Sequence, residues 1–381
     1  MKKYLLVLII ISLSYCKVNT ETGSGPELLL ISALTKLAEV KPTVTTDVYT
    51  VSTFAGSGTA ATIDGTGTSA SFNAPVGLAI DSNSNLFVTE AASCVIRKVT
   101  SQAVVTTLAG SGSCGFADGT GTSASFNVPH TIAIDSGNNL IVPDSLNFRI
   151  RKITMAGVVT TFAGSGTSTL TDGTGTSASF RWPKGIAIDS FGFFYVSDYE
   201  YVIRKISSAG VVTTLAGTDG VTGNADGTGT SAKFNRPFGV VADNAGSLYV
   251  ADENNNSIRK ITINSGVVST YSGSTASEAG NTDGTLSNAR FSSPNGLVFD
   301  SSKNLFIVDR VNNKIRKISS DGNVTTIAGT GTAGSTDGDG SIASFNNPKF
   351  IVIDKNGNLF LTESFNHKIR KITITKVTVT K

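Results

Sequence analysis

The sequence predicts an all-β protein: a six-bladed β-propeller with four antiparallel strands in each blade. The peptide DGTGTSASF occurs three times, at 64–72, 118–126 and 172–180, and Asp-Gly pairs recur six times at intervals of 54 or 57 residues. Each interval also contains four short apolar segments separated by turn residues. A fixed long period with four strands in each unit is the pattern of a propeller blade.

Every period contains the same elements in the same order. A phenylalanine follows Asp-Gly, and three residues later a proline opens a strand that ends in Asp, such as GLAID at 77–81. A second strand ends in Asp or Glu, a third contains Ile-Arg-Lys, and a fourth, such as VVTTLAG at 104–110, closes the unit. The Asp-Gly segments therefore link one blade to the next. A solenoid is the alternative, but four strands per unit suit a radial blade better.

The two ends of the chain predict how the ring closes. TVSTFAG at 50–56 is a fourth strand with no blade in front of it, and the last blade lacks the Ala-Gly that follows the fourth strand elsewhere. We expect the N-terminal strand to become the outer strand of blade six, because a closed ring leaves no open sheet edge. The tail Val377–Thr380 either competes for that edge or lies beside it.

The recurring sequences VTTxAG, DGxGxxAxF, PxGIAID, LYVAD and IRKI resemble the NHL repeat over residues 49–381. This resemblance implies a six-bladed NHL-type propeller, which we assign to residues 48–381. Related propellers include amidating lyases, lactonases and other calcium-dependent hydrolases, which place metal ligands or proton-transfer groups around the central channel. The resemblance thus leaves open a metal-dependent hydrolase or lyase, lactonase-like, with its site at the channel.

The first residues predict export. Lys2 and Lys3 precede an apolar run, Leu5–Leu13, that is too short to span a bilayer. The run ends in Leu-Ser-Tyr-Cys, which resembles a bacterial lipobox and predicts a signal peptide over 1–15 and lipidation of Cys16. Ordinary secretion and a retained anchor are the alternatives. We therefore expect a lipid-anchored protein of the bacterial cell envelope, either periplasmic or exposed on the surface.

Residues 16–47 are predicted to form the lipidated tether. Within it, 27–40 has the apolar spacing of a short helix that rests on the folded domain, or less favourably on the membrane. The formal net charge of the chain is +3 and only 15% of its residues are charged. This balance gives no electrostatic reason to expect a nucleic-acid partner, and we expect a monomer.

Candidates for catalysis are few. The inner strands are apolar, and the chain has two histidines, His130 in blade two and His367 in a loop of blade six. Their positions do not suit a shared zinc site, and the Asp-Gly loops lack the alternating oxygen ligands of an EF-hand. The sequence therefore favours a binding module without metal or cofactor over an enzyme.

One arginine and one carboxylate recur in every blade. The carboxylates end the second strands, and pairing them with the arginines of the third strands would satisfy both charges. The pairs are expected to serve the blade rather than a ligand. The arginines are Arg97, Arg151, Arg204, Arg259, Arg316 and Arg370, and the carboxylates are Glu90, Asp144, Asp198, Asp252, Asp309 and Glu363.

Cys94 and Cys114 lie in loops that emerge on one face of blade one. An exported protein is in an oxidising environment, so the two cysteines are expected to form a disulfide.

Positions that differ between blades are the better candidates for function. On the face with the Asp-Gly links, blades three and four concentrate aromatic and basic side chains, a composition typical of interaction hot spots. The predicted partner is an envelope protein or glycan, and the alternative is that Trp182 only packs between blades. The predicted binding residues are Arg181, Trp182, Lys184, Tyr199, Tyr201, Arg236, Phe238 and His130.

Overall fold

The structure is a computed structural model that describes residues 43–380. The predicted signal peptide, Cys16 and the helix expected at 27–40 lie outside the described residues. The chain divides into two units. One is the propeller, Asp47–Thr375, and the other includes the described residues before and after it, 43–46 and 376–380. In the second unit, the hydroxyls of Thr45 and Thr378 are 3.0 Å apart.

The propeller consists of six sheets, one for each repeat, which confirms the predicted six blades. The inner and second strands are buried almost throughout because neighbouring blades cover both of their faces. The inner strands are Pro75–Ile80, Ala133–Ile134, Pro183–Ile188, Pro237–Ala242, Pro294–Phe299 and Pro348–Ile353. The second strands are Leu86–Glu90, Leu140–Asp144, Phe194–Asp198, Ser247–Asp252, Leu305–Asp309 and Leu359–Glu363.

The outer strands begin with alternating exposed and buried residues, since one of their faces meets solvent. The third strands are Val95–Val99, Arg149–Ile153, Val202–Ile206, Ser257–Thr262, Lys314–Ile318 and Lys368–Thr380. The outer strands of blades one to five are Val104–Ala109, Val158–Ala163, Val211–Gly217, Val267–Gly273 and Asn323–Ala328.

Each sheet has five strands rather than the predicted four, because two residues of the Asp-Gly link pair with the outer strand of their own blade. These strands are Gly65–Thr66, Gly119–Thr120, Gly173–Thr174, Gly227–Thr228, Gly284–Thr285 and Gly338–Asp339. Short 3₁₀ helices are Gly67–Ser69, Gly121–Ser123, Ser145–Asn147, Gly175–Ser177, Gly229–Ser231 and Glu253–Asn255.

The N-terminal strand closes the ring as predicted. Thr43–Ala55 lies in the sheet of blade six, between the short strand Gly338–Asp339 and the third strand Lys368–Thr380. The C-terminal residues continue that third strand, so they lie beside the N-terminal strand and do not displace it.

In blade one, Cys94 and Cys114 form a disulfide with their Cα atoms 5.2 Å apart. It joins the turn between the second and third strands to the link that leads into blade two.

A fully buried arginine lies at the centre of each blade. In blade one, Arg97 pairs with Glu90 at the end of the second strand, and its Nη2 lies 2.7 Å from Asp64 of the Asp-Gly link. Nη1 also donates to the carbonyl of Ser71 (3.1 Å), and the guanidinium carbon lies 5.5 Å from the ring centroid of Phe72. The Asp and the Phe of the repeated motif therefore hold the same guanidinium.

The arrangement recurs in the other blades. The Asp-Gly aspartate is an ion-pair partner of the arginine in all six blades. The carboxylate at the end of the second strand is costly to bury. In blade four, burial raises the pKa of Asp252 to about 6, although the charge of Arg259 lowers it. Such a pair adds little net stability, but removal of one partner leaves the other charge buried and uncompensated.

Blade three departs from this pattern, and the predicted pairing of Arg204 with Asp198 is wrong. Arg204 pairs with Asp172 (2.8 Å). One oxygen of Asp198 instead accepts the backbone N–H of Trp182 (2.7 Å). The other accepts the N–H of Arg181 (2.8 Å), a bond that the carboxylates of the other blades also form with the equivalent residue. The turn after Asp198 is one residue shorter than its counterparts. The freed carboxylate consequently fixes the backbone in front of the inner strand of blade three.

We expect Arg259→Ala to lower the free energy of unfolding by about 3–5 kcal/mol, because Asp252 would remain buried without its cation. Arg204→Ala is the matched control and should cost less, since Arg204 forms its ion pair with the half-exposed Asp172 and not with the buried Asp198. Urea unfolding of both variants measures the difference. Equal losses would contradict the distinction between blade three and the others.

His367 connects blade six to blade one. It ends the turn before the third strand, in the left-handed region (φ 54°), and its Nδ1 accepts the backbone N–H of Ala74 at 3.1 Å. Asn313, at the equivalent position of blade five, accepts the N–H of Asn347 in the same way (3.0 Å). His367 is half-buried rather than a plain surface residue, and burial lowers its pKa.

His367→Asn should preserve this bond, as Asn313 does, whereas His367→Ala should lose about 1 kcal/mol. Because the folded pKa of His367 lies below its ordinary 6.5, the bond contributes fully above pH 6.5 and is lost as pH falls through the folded pKa. Melting temperatures at neutral pH and at about pH 5 test this. A His367→Asn protein as acid-sensitive as the wild type would show that the bond does not matter.

Candidate functional site

The central channel has one mouth at the face that carries the Asp-Gly links, which we call the DG face. The residue after the proline of each inner strand forms a ring there, which we call the mouth residues. Val76 and Phe238 pack with Phe350 in one apolar cluster. Behind them, the channel contains a cavity of about 280 Å³ lined by the inner strands. The mouth residues are Val76, His130, Lys184, Phe238, Asn295 and Lys349.

Inner strands of neighbouring blades approach closely at the mouth. A Cβ on Gly185 would lie 1.8 Å from the carbonyl oxygen of Phe238, so glycine is needed there. Blade two has Thr131 at this position. Its hydroxyl donates to the carbonyl of Lys184 (2.8 Å) and accepts the N–H of Ile186 (2.8 Å). These bonds explain the short inner strand of blade two and fix the backbone of Lys184.

A lysine surrounded by aromatic rings distinguishes blade three. The ammonium of Lys184 lies 3.6 Å from the ring centroid of Tyr199, 4.3 Å from Trp182 and 5.8 Å from Phe238. Trp182 and Tyr199 meet edge to face, with their centroids 5.4 Å apart. Cation–π contacts of this kind contribute about 0.5–2 kcal/mol each and here hold a buried ammonium in place.

The aromatic cluster continues into blades four and five. The Tyr199 hydroxyl donates to Glu253 (3.1 Å), and Glu253 also pairs with Arg310. The guanidinium of Arg236 lies 5.4 Å from the Tyr199 ring. Tyr199, Glu253 and Arg310 are all the first residue of their turn, directly after the second strand. A second set of side chains therefore surrounds the mouth.

Positive charge dominates this site. Burial, together with neighbouring cations, lowers the pKa of Lys184 and of Lys349 to about 8. Burial, with the charges of both lysines, also holds the pKa of His130 well below its usual range, so this imidazole is neutral at pH 7. Arg236 and Arg310 add to the positive field, and Glu253 is the carboxylate that opposes it.

A cavity of about 270 Å³ opens beside Trp182, between blades two and three. Arg181 forms part of its wall and pairs with Asp219 (2.6 Å), so its charge is already neutralised. The cavity is lined by Leu146, Phe148, Ser168, Arg181, Trp182 and Glu200.

The structure brings most of the predicted binding residues together. Trp182, Lys184, Tyr199, Arg236 and Phe238 form one cluster, and the His130 ring lies 5.6 Å from the Phe238 ring. In the short turn of blade three, Tyr199 is the residue whose ring contacts Trp182 and Lys184. Tyr201 ends that turn with φ 83°.

Sequence reasoning missed Glu253, Arg310 and Lys349. The signal for Glu253 and Arg310 was their shared place directly after the second strand, where Tyr199 also lies.

Over the described range 43–380, no three His, Cys, Asp or Glu side chains converge in a way that suits a metal ion. The two histidines have separate surroundings, His130 at the mouth and His367 at the contact between blades six and one. The same part of the chain contains no helix that is long and apolar enough to cross a membrane.

Comparison with known proteins agrees with the repeat pattern. A family model described as the Teneurin NHL domain matches residues 223–380. Protein SUPPRESSOR OF QUENCHING 1 of Arabidopsis thaliana is 28% identical over 282 residues, covering 70% of this chain and 27% of that protein. NHL repeat-containing protein 2 of Bos taurus is 27% identical over 299 residues, covering 69% and 41%. The chain spans less than half the length of these curated relatives.

Among solved structures, an auxiliary nutrient-binding protein from Bacteroides ovatus has a TM-score of 0.66 at 19% identity, covering 86% of this chain and 77% of that one. At this identity the likeness concerns the fold alone. The six sheets and their ring closure make this chain a six-bladed β-propeller. Its repeats are similar to the NHL repeat, as the match of residues 223–380 and the NHL repeat-containing relatives indicate.

Proposed function

We propose that this protein is an exported binding module that captures a glycan of the cell envelope on its DG face. The observation that carries the proposal is the cluster of Trp182, Tyr199 and Lys184 in blade three. Repeated positions such as the buried arginines serve every blade alike. This cluster occurs in one blade, beside an open cavity, and therefore has a use that the fold itself does not require.

A glycan fits the site better than a flat protein surface does. Trp182 is half-buried and forms one wall of the cavity of about 270 Å³, and its indole N–H has no hydrogen-bond acceptor among residues 43–380. This volume lies just below the roughly 300–1,000 Å³ of pockets for drug-sized ligands, so it suits one or two sugar units. The indole can offer a sugar its apolar face, whereas its N–H is buried. Similar propellers described as nutrient-binding proteins are compatible with this role.

Trp182→Ala should weaken glycan binding by about 2 kcal/mol or more, the loss typical of a hot-spot aromatic. The measurement is a glycan array of envelope saccharides, with affinities for captured saccharides determined by calorimetry. Phe191→Ala is the control: Phe191 is 82% exposed and lies in the turn between the inner and second strands, at the opposite face of blade three.

Wild type and Phe191→Ala should bind alike, and both variants must keep the wild-type melting temperature. If Trp182→Ala bound glycans as the wild type does, the proposal that the DG face captures a glycan would be contradicted. Capture of no saccharide at all, with a protein retained from envelope extract through Trp182, would favour a protein partner instead.

The anchoring is a separate proposal, because Cys16 lies outside the described residues. We propose that Cys16 carries acyl chains, which hold a protein on a membrane stably when two or more are attached. The full-length protein should then partition into the detergent phase of Triton X-114, and Cys16→Ser should move into the aqueous phase or remain unprocessed. Wild-type protein in the aqueous phase would contradict lipidation.

A further inference from the structure

The cations around the mouth point to the chemistry of the ligand. We propose that the DG face binds an acidic saccharide, whose carboxylate or sulfate lies over the mouth beside Lys184, Lys349 and Arg310. This inference rests on the proposed glycan binding and specifies it.

The charges at the mouth are not balanced by the protein. Arg310 has Glu253 as its partner, but in the described part of the chain Lys184, Lys349 and Arg236 form no ion pair. Other cations at the DG face are neutralised locally, as Arg181 is by Asp219. An anion brought by the ligand would supply the missing charge, and its interaction with partly desolvated cations would be weakly screened by salt.

Two neutral mouth residues are also left with unused hydrogen-bonding capacity. His130 is 9% exposed and Asn295 is fully buried, and within residues 43–380 neither His130 Nδ1 nor Asn295 Oδ1 has a hydrogen-bond partner. Buried polar atoms are normally satisfied. Both lie in the ring that contains Lys184 and Lys349, so the polar atoms that the fold leaves without partners lie in the same ring as its unpaired lysines.

The lysines weaken the free protein, which argues against a structural purpose. Their pKa values are lowered to about 8, mainly by burial, so the charged form is disfavoured in the folded state. Stability from these groups is complete above their ordinary pKa of 10.5 and falls as pH drops through 8. At neutral pH the fold therefore retains two charges at a cost, as ligand sites commonly do.

The test compares each acidic glycan with its neutralised form on one array: uronic acids with their methyl esters, and sulfated saccharides with desulfated ones. The variant is Lys349→Gln, and the matched control is Lys355→Gln, an exposed lysine at the opposite face of the same blade. We expect neutralisation of the glycan and Lys349→Gln each to weaken binding about tenfold or more. Lys349→Gln should keep or raise the melting temperature, and Lys355→Gln should bind as the wild type does.

The outcomes separate this inference from the proposed function. Loss on esterification identifies a carboxylate as the anionic group, and loss on desulfation identifies a sulfate. Equal binding of acidic and neutralised forms, or full binding by Lys349→Gln, would overturn the inference, while Trp182-dependent capture of neutral glycans would leave the proposed function intact. Capture of no glycan would overturn both.

Discussion

The buried arginine of each blade is the contact on which the rest of the structure depends. In every blade its guanidinium meets the Asp-Gly aspartate and the ring of the repeated phenylalanine. In all blades but the third it also pairs with the carboxylate that ends the second strand. A buried arginine without these partners would be strongly unfavourable, so the aspartate and the phenylalanine of the motif recur in every blade. The repetition is a requirement of charge burial, and it tells little about function.

Function is better sought where blades differ, and blade three differs most. Its short turn lacks the asparagine that donates to the buried carboxylate in blades two, four, five and six, such as Asn147 to Asp144 (2.7 Å). Asp198 then fixes the backbone of Trp182, and the first residue of the turn, Tyr199, covers Lys184. One shortened turn thus links the exception in the scaffold to the aromatic site at the mouth.

The sequence predicted the blades, the strand order and the ring closure, because periodic patterns report regular structure directly. It also singled out Trp182 and Lys184, since Trp182 has no aromatic counterpart before the other prolines and Lys184 lies two residues after it. It could not find the Glu253–Arg310 pair, because those residues come from different blades and only the ring brings them together. It chose Tyr201 beside Tyr199 because a missing residue in a turn leaves the direction of each side chain undetermined. The predicted pairing of Asp198 with Arg204 was wrong for the same reason, because Asp198 directly precedes this shortened turn.

The central claim is that the residues at the mouth serve a ligand while the repeated residues hold the fold. Blade one offers the most direct test, since it has Ala74, Val76 and Ala91 where blade three has Trp182, Lys184 and Tyr199. The triple variant Trp182→Ala, Lys184→Val, Tyr199→Ala makes blade three resemble blade one and should unfold cooperatively near the wild-type urea midpoint while losing glycan binding. A variant that no longer folds, or one that still binds as the wild type does, would contradict the account.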